Sequence, residues 1–395
     1  MDFTKLKQYM DYLTTEVKVP GVDCIVYKNH EEIFRYFAGF SDIENNIPVN
    51  GNELYLIFSM TKMLTCTCAL QLLEKGKFKL DDNLSRYMPE FENLKVEKTF
   101  GASSKGSDIT TGASMGETIV SKGEDYAKTP VTIRHLFTMS AGFNYDLNAE
   151  YIKNTIAEGK TSTRQLAGCL CNTVLGFEPG THFQYSLCHD ILGALVEIWS
   201  DQKLGDYMYE NIFKPLGMNN TFFGVDKNRT DDYAARYIYD ADGNPQRLPL
   251  ECLFNLSEEY QSGGAGLTSC TEDYALFLDA LASGGVGKSG AKILSEDTVK
   301  LMGTNQLDKV RYEDFQALRP GYGYGLGVRT HVEPGASGSL SPVGEFGWDG
   351  AAGAFSMVDT KNKLSLTYFQ HVHNWPLKIQ TEMRNALYEC VQGCL

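Results

Sequence analysis

The chain has 395 residues, 43% of them hydrophobic and 22% charged, a globular profile long enough for two or three domains of ~150 residues. Its net charge of −14 excludes nucleic acid and anionic membrane as electrostatic partners, and no run reaches the ~18 apolar residues of a spanning helix. Residues 1–19 are charged and amphipathic, without the apolar core of a secretory signal, which places the protein in the cytoplasm if this is its native start. The ten cysteines fit that setting as buried thiols, several of them inside apolar runs (Cys24, Cys66, Cys68, Cys270). The Cys66/Cys68 and Cys169/Cys171 pairs lack the two-residue gap of zinc and redox motifs. No metal and no cofactor is expected.

In chain order, residues 22–27 and 33–40 read as two strands around a turn at Lys28-Asn29-His30. The apolar run 54–58 is strand-like and leads into Ser59. Residues 63–73 then read as an amphipathic segment that stops at Gly76. Helical patterning predominates through residue 225, for example over 191–199 and 207–216. Residues 101–123 are rich in Gly, Ser and Thr and read as a long loop. Strand-like runs return at 325–330, 353–359 and 364–371, and a helix over 379–391 closes the chain. His371 and His373 alternate along the last strand and, without a third ligand, read as strand surface. Strands at both ends with helices between them predict an α+β fold. One sheet domain comes from residues 1–58 and 255–395, with a mainly helical domain, 59–254, inserted and the active site between the two.

Ser59 and Lys62 stand three apart at the start of a helix, on one face and one turn from each other. That puts an ammonium beside a hydroxyl, as covalent catalysis needs where no histidine serves as base. The spacing recurs at Ser200/Lys203 and Ser289/Lys292, so context alone distinguishes Ser59, whose competing reading is a helix N-cap. Gly112-Ala113-Ser114-Met115-Gly116 matches a nucleophile elbow, but a polar loop precedes it where an elbow needs a buried strand. Tyr185 follows a Pro-Gly turn and precedes a helix, a place where a tyrosine can simply pack. The glycine-rich run 344–353, holding Trp348-Asp349-Gly350-Ala351, reads as a turn entering a strand. Residues 321–327 alternate glycines without the lysine or following helix of a phosphate loop.

Taken in order, these pieces resemble the serine hydrolases of the β-lactamase and penicillin-binding-protein superfamily. Within it the chain looks most like the family VIII-type carboxylesterases and the lovastatin acyltransferase-like proteins. Ser59-Met60-Thr61-Lys62 matches the first motif, Tyr185-Ser186-Leu187 stands where Tyr-x-Asn belongs, and Trp348-Asp349-Gly350 takes the place of Lys-Thr-Gly. Leu80-Asp81-Asp82, Val131-Thr132-Ile133-Arg134-His135-Leu136, Ser262-Gly263-Gly264-Ala265-Gly266-Leu267 and Tyr324-Gly325-Leu326-Gly327 match as supporting segments.

The resemblance implies a β-lactamase-like antiparallel sheet with flanking helices, and an acyl-enzyme formed on Ser59. Tyr185 would be the general base, its pKa lowered by Lys62, or would hydrogen-bond a neutral Lys62 that takes the proton. The backbone N–H groups of Ser59 and Ala351 would form the oxyanion hole. Leu187, Trp348, Asp349 and Gly350 would line the substrate, while His135, His182 and His189 are structural. Leu187 replaces an amide side chain and Trp348 a cation, which makes the cleft more apolar and favours neutral esters over carboxylate-bearing β-lactams and D-Ala-D-Ala peptides. The 97–128 loop would cover the acyl pocket. The expected activity is that of a serine hydrolase acting on small or medium acyl esters. The alternatives are an acyltransferase using the same intermediate, a D-amino-acid peptidase or amidase, and a catalytically silent homologue that binds a ligand.

Overall fold

The computed structural model describes residues 1–97, 123–251 and 254–393. Its centre is an eight-stranded, wholly antiparallel sheet assembled from both ends of the chain. The order is Tyr322–Tyr324, Arg329–His331, Phe346–Gly347, Phe355–Asp359, Leu364–Phe369, Gly21–Lys28, Glu31–Asp42 and Ile47–Pro48. The N-terminal strand closes against the C-terminal one with Cys24 opposite Tyr368 and Val26 opposite Leu366. Its side chains alternate between faces. Val22, Cys24 and Val26 join the cluster buried under the terminal helices Thr4–Thr15 and Lys378–Val391, while Ile25 and Tyr27 meet Ala275 of the helix Thr271–Ala282 on the other face. The terminal helices are amphipathic for this purpose, with Leu6, Met10 and Leu13 on one and Ile379, Met383, Leu387 and Val391 on the other turned inward.

The turn expected at Lys28-Asn29-His30 is a two-residue hairpin turn, with Asn29 at φ 52 and His30 at φ 68. His30 is held there by Asp279 Oδ2, 2.8 Å from its Nδ1. The helix Thr61–Glu74 ends in a Schellman motif on Gly76, at φ 69, with Lys77 N–H donating to Leu72 and Gly76 N–H to Leu73.

Four local expectations differ from the structure. The helix Thr61–Glu74 is not amphipathic, because every residue from Thr61 to Leu72 is buried. Its polar side chains find internal partners: Thr65 donates to Gly263 O, Thr67 to Met63 O, and Gln71 to Ile293 O. The single helix expected over 207–216 is broken into Leu204–Met208, a π turn Tyr209–Phe213 and Lys214–Leu216. Pro215 has no N–H for the Asn211 carbonyl, which accepts from Gln71 instead. The strand expected over 325–330 begins only at Arg329, because Gly327 (φ 85) turns the chain and Gly325 N–H closes onto Val328 O. His371 and His373 are buried rather than surface residues, packed beside Tyr55 and Phe58.

The loop 101–123, and with it Ser114, lies almost wholly outside the described residues; its two flanks pair as antiparallel strands, Lys95–Glu97 with Glu124–Tyr126. Among the described residues no helix is long and apolar enough to cross a membrane, and no His/Cys/Asp/Glu group is placed to hold a metal ion.

Burial pushes the pKa of His189 and His371 down to about 3 and that of His373 to about 4. With folded values below the unfolded value near ~6.5, the unfolded chain binds more protons once pH drops under it, so stability is lost as pH falls through that value. Asp23, pushed up to about 6 by burial, offsets a fraction by taking up a proton in the folded state. Urea unfolding is therefore expected to show stability falling between about pH 7.5 and about pH 5.5, by roughly 1 kcal/mol for each of these three histidines and for His135, which burial also lowers to about 4. A flat or rising profile would contradict this.

Candidate active site

Ser59 is placed by a strained turn. Tyr55 and Leu56 pair with Ser269 and Thr268, Ile57 N–H donates to Leu267 O, and the chain then bends through Phe58 at φ 46. A buried aromatic residue in the left-handed region is costly, by ~1–3 kcal/mol, and persists only where its surroundings over-determine it. Here Tyr274 donates to Met60 O, and Leu267 N–H donates to the Thr61 hydroxyl. The turn delivers Ser59 into a single 3₁₀ turn, Phe58–Met60, continuous with the helix Thr61–Glu74. Ser59 caps neither element: its Oγ accepts from Tyr185 OH at 2.7 Å and lies 3.2 Å from Lys62 Nζ.

Lys62 has no exposed surface. Its Nζ donates to Gly264 O at 2.7 Å and to Tyr145 OH at 3.3 Å, and it sits over the rings of Tyr185 and Tyr145, 4.6 and 5.4 Å from their centroids. Loss of hydration pulls its pKa down to about 7, against the nearby carboxylate of Asp190, which favours the ammonium.

Tyr185 is the centre of a three-ring stack. Tyr145 lies parallel to it at 5.5 Å, and Trp348 packs at 5.6 Å and 26°. The Trp348 indole N–H donates to Tyr185 OH at 3.3 Å. Burial pushes the phenol well up, only partly opposed by its bonds to Ser59 and Trp348. Tyr185 is thus a neutral hydroxyl, donating to Ser59 and accepting from Trp348.

Asp349 leaves this group: its Oδ2 accepts from Arg319 at 2.7 Å, both side chains being buried. Gly350, just beyond the Phe346–Gly347 strand, crosses the turn that carries Ser59. A Cβ there would stand 2.6 Å from Ile57 O. Ala351 follows it, and Leu187 is buried at the head of the helix Cys188–Ser200. The other two Ser/Lys pairs make no comparable arrangement: Ser200 donates to Val196 O within its own helix, and Ser289 to Pro215 O at the surface. His135 closes a capping box with Thr132, His182 pairs with Asp314, and His189 is buried between Cys66 and Phe137 O.

Sequence reasoning missed Tyr145, Asp190 and the Gly264 carbonyl. Tyr145 lies in a loop with no periodicity to mark it. Asp190 did leave a signal, being a carboxylate at the head of the otherwise apolar run 191–196.

The family model described as Beta-lactamase matches residues 5–387, and the chain belongs to that family. The acyltransferase calJ of Penicillium decumbens is 28% identical over 346 residues, covering 81% of this chain and 76% of that protein. Esterase EstB of Burkholderia gladioli is 25% identical, covering 97% of this chain and 94% of that protein. Among solved structures, EstCE1, described as a hydrolase with promiscuous acyltransferase activity, superposes with a TM-score of 0.78 at 22% identity, over 97% of each chain. Fold class and family thus agree with the reading of the ordered motifs.

Gly350→Ala should slow phosphonylation of Ser59 by a fluorophosphonate by ~10²-fold, the usual loss for a displacement of about 1 Å near reacting atoms. The variant is expected to melt within a few degrees of the parent protein. A parental labelling rate would mean that the crossing of Gly350 over Ile57 does not position the nucleophile.

Proposed function

We propose that this protein is a serine hydrolase that cleaves small or medium acyl esters through an acyl-enzyme on Ser59. The observation that carries the reading is one hydroxyl, Ser59 Oγ, held between a buried lysine and a buried tyrosine, with no hydrogen bond to a histidine among the described residues. Of the two proton arrangements open to such a site, we favour a neutral Lys62 as base. Its pKa near 7 leaves a large neutral fraction at working pH, whereas Tyr185 is held protonated.

A neutral Lys62 has two N–H bonds, which match its acceptors Gly264 O and Tyr145 OH, and a lone pair directed to Ser59. As Oγ attacks the acyl carbonyl, the Ser59 proton passes to Lys62 and the C–O bond to the nucleophile forms. The N–H groups of Ser59 and Ala351 receive the oxyanion. Collapse breaks the ester bond, and the departing alkoxide takes a proton from the Tyr185 hydroxyl, which is restored from Lys62. Water, activated by the same pair, then releases the acid. An alcohol in place of water gives acyl transfer instead, and the names of calJ and EstCE1 keep that outcome as the second reading. The eight free thiols among the described residues fit a reducing, cytoplasmic setting.

A fluorophosphonate is expected to label Ser59 and no other residue, with labelling lost in Ser59→Ala. An adduct mapped to Ser114 would overturn the assignment. It would also distinguish a silent homologue, which would take no label.

The replacement of an amide by Leu187 and of a cation by Trp348 predicts selectivity among acyl donors. A missing buried hydrogen bond costs ~1–3 kcal/mol, more with a charged partner. A p-nitrophenyl acyl ester should therefore exceed nitrocefin in kcat/KM by ~10²-fold or more. Rates within about tenfold of each other would sink the ester assignment.

A further inference from the structure

We infer that Asp190 is a positioning residue of this site, acting on Ser59 through Lys62 by both charge and place. The inference rests on the acyl-enzyme reading above for the role of Lys62 and adds a residue that none of the three family motifs contains.

Asp190 lies in the first turn of the helix Cys188–Ser200 and is buried to 1% exposure. Its two oxygens are treated differently. Oδ1 accepts from Tyr260 OH at 2.7 Å, Ser262 Oγ at 2.6 Å and Gly264 N–H at 3.4 Å. Oδ2 is buried without a hydrogen-bond partner. A carboxylate oxygen in that state is costly unless it serves a charge nearby. The charge is Lys62. A Cβ on Gly264 would stand 2.5 Å from Asp190 Oδ2 and 3.4 Å from Lys62 Nζ, so the two groups face each other across a bare Cα.

The other groups around Lys62 do not compete for it. Cys66 on its own helix and Cys188 on the facing one are thiols pushed upward by burial, Cys188 to about 12. His189 is held neutral with a pKa of about 3, and Tyr185 and Tyr260 are raised phenols. The hydroxyl of Tyr145 accepts from Lys62. Asp349 is matched by Arg319. Among the described residues this leaves Asp190 as the carboxylate whose charge Lys62 answers. The same side chain also fixes the backbone acceptor of Lys62: two of the three bonds to Oδ1, from Ser262 and Gly264, tie down the segment Ser262-Gly263-Gly264, whose last carbonyl takes the 2.7 Å bond from Nζ.

The consequence runs against the usual effect of removing an acid. The carboxylate favours the ammonium, so it holds back the neutral form that activates Ser59. Asp190→Asn keeps an oxygen for Tyr260, Ser262 and Gly264 but removes the charge. The acid limb of kcat/KM for a p-nitrophenyl ester, and of the fluorophosphonate labelling rate, should then move to lower pH by ~1 unit or more, as expected for loss of an opposite charge at this range. Asp190→Ala, which also frees the 262–264 segment, should lower both rates at every pH. Ser262→Ala leaves the charge in place, and its acid limb should stay where the parent protein has it.

An Asp190→Asn protein that is folded by circular dichroism and keeps the parental acid limb would overturn the inference. So would a Ser262→Ala protein whose limb moves by a full unit, which decides the matter even if Asp190→Asn does not fold. Labelling that shifts with Asp190 while no ester is turned over would fault the substrate assignment and leave the inference standing. Absence of any label on Ser59 in the parent protein would remove both.

Discussion

A lysine with no surface in water is the constraint around which this protein is arranged. An ammonium moved out of water loses several kcal/mol of hydration even after its surroundings relax. A pKa drawn from near 10.5 to about 7 expresses that loss, and it brings the neutral form into balance with the ammonium near neutral pH. The burial that makes Lys62 expensive is therefore what frees its lone pair near neutral pH. It also explains the helix that carries it, which is buried on every side from Thr61 to Leu72 and must find internal partners for Thr65, Thr67 and Gln71. Lys62 itself is given two oxygen acceptors, Gly264 O and Tyr145 OH, and two ring faces.

The sheet supplies the rigidity that such a site needs. Ser59 lies one residue beyond a left-handed phenylalanine, and Phe58 holds that conformation because the segment before it is paired and the residues after it are bonded to Tyr274 and Leu267. The third motif arrives from the far end of the chain. It stands beside Ser59 because the N-terminal strand Gly21–Lys28 is locked against Leu364–Phe369, and the strands that follow in order lead to Phe346–Gly347. Closing the ends of the chain into one sheet brings Trp348 and Gly350 to a serine nearly 300 positions earlier. Loop-closure entropy grows only slowly with such separations, so a site built from distant segments costs little more than one built locally.

What could be read from the sequence was what has a local period or a local motif. The hairpin at Asn29-His30, the terminal helix and the strands 355–359 and 364–369 announce themselves through alternation, turn residues and apolar spacing. The ordered motifs placed Ser59, Lys62, Tyr185 and Trp348 in one neighbourhood. What could not be read depends on burial and on orientation. A helix buried all round can carry polar residues as an amphipathic one does, so the segment 63–73, with Thr65, Thr67 and Gln71 in it, reads as amphipathic from sequence. His371 and His373 looked like surface for the same reason. Tyr145 and the Gly264 carbonyl serve Lys62 from loops whose course no pattern encodes, and Pro215 could be seen while the π turn it forces could not.

The charge balance of the interior gives Trp348 its meaning. A cation at that position would stand beside the phenol of Tyr185 and close to Lys62, and would drive Lys62 further toward the neutral form while demanding an anion of its own. The indole N–H gives Tyr185 a hydrogen-bond donor without that demand. The carboxylates near Ser59 then each have a counterpart: Asp190 faces Lys62, whose protonated form it favours, and Asp349 is held by Arg319. A substrate carboxylate entering this arrangement would be a buried charge with no partner, at a cost far above that of a neutral group. On the proposed reading, a neutral acyl ester brings no such charge until its carbonyl oxygen becomes an oxyanion, at the step assigned to the N–H groups of Ser59 and Ala351. On that reading, tryptophan in place of a cation removes stabilisation from carboxylate-bearing ground states and leaves the proposed transition state of ester cleavage served.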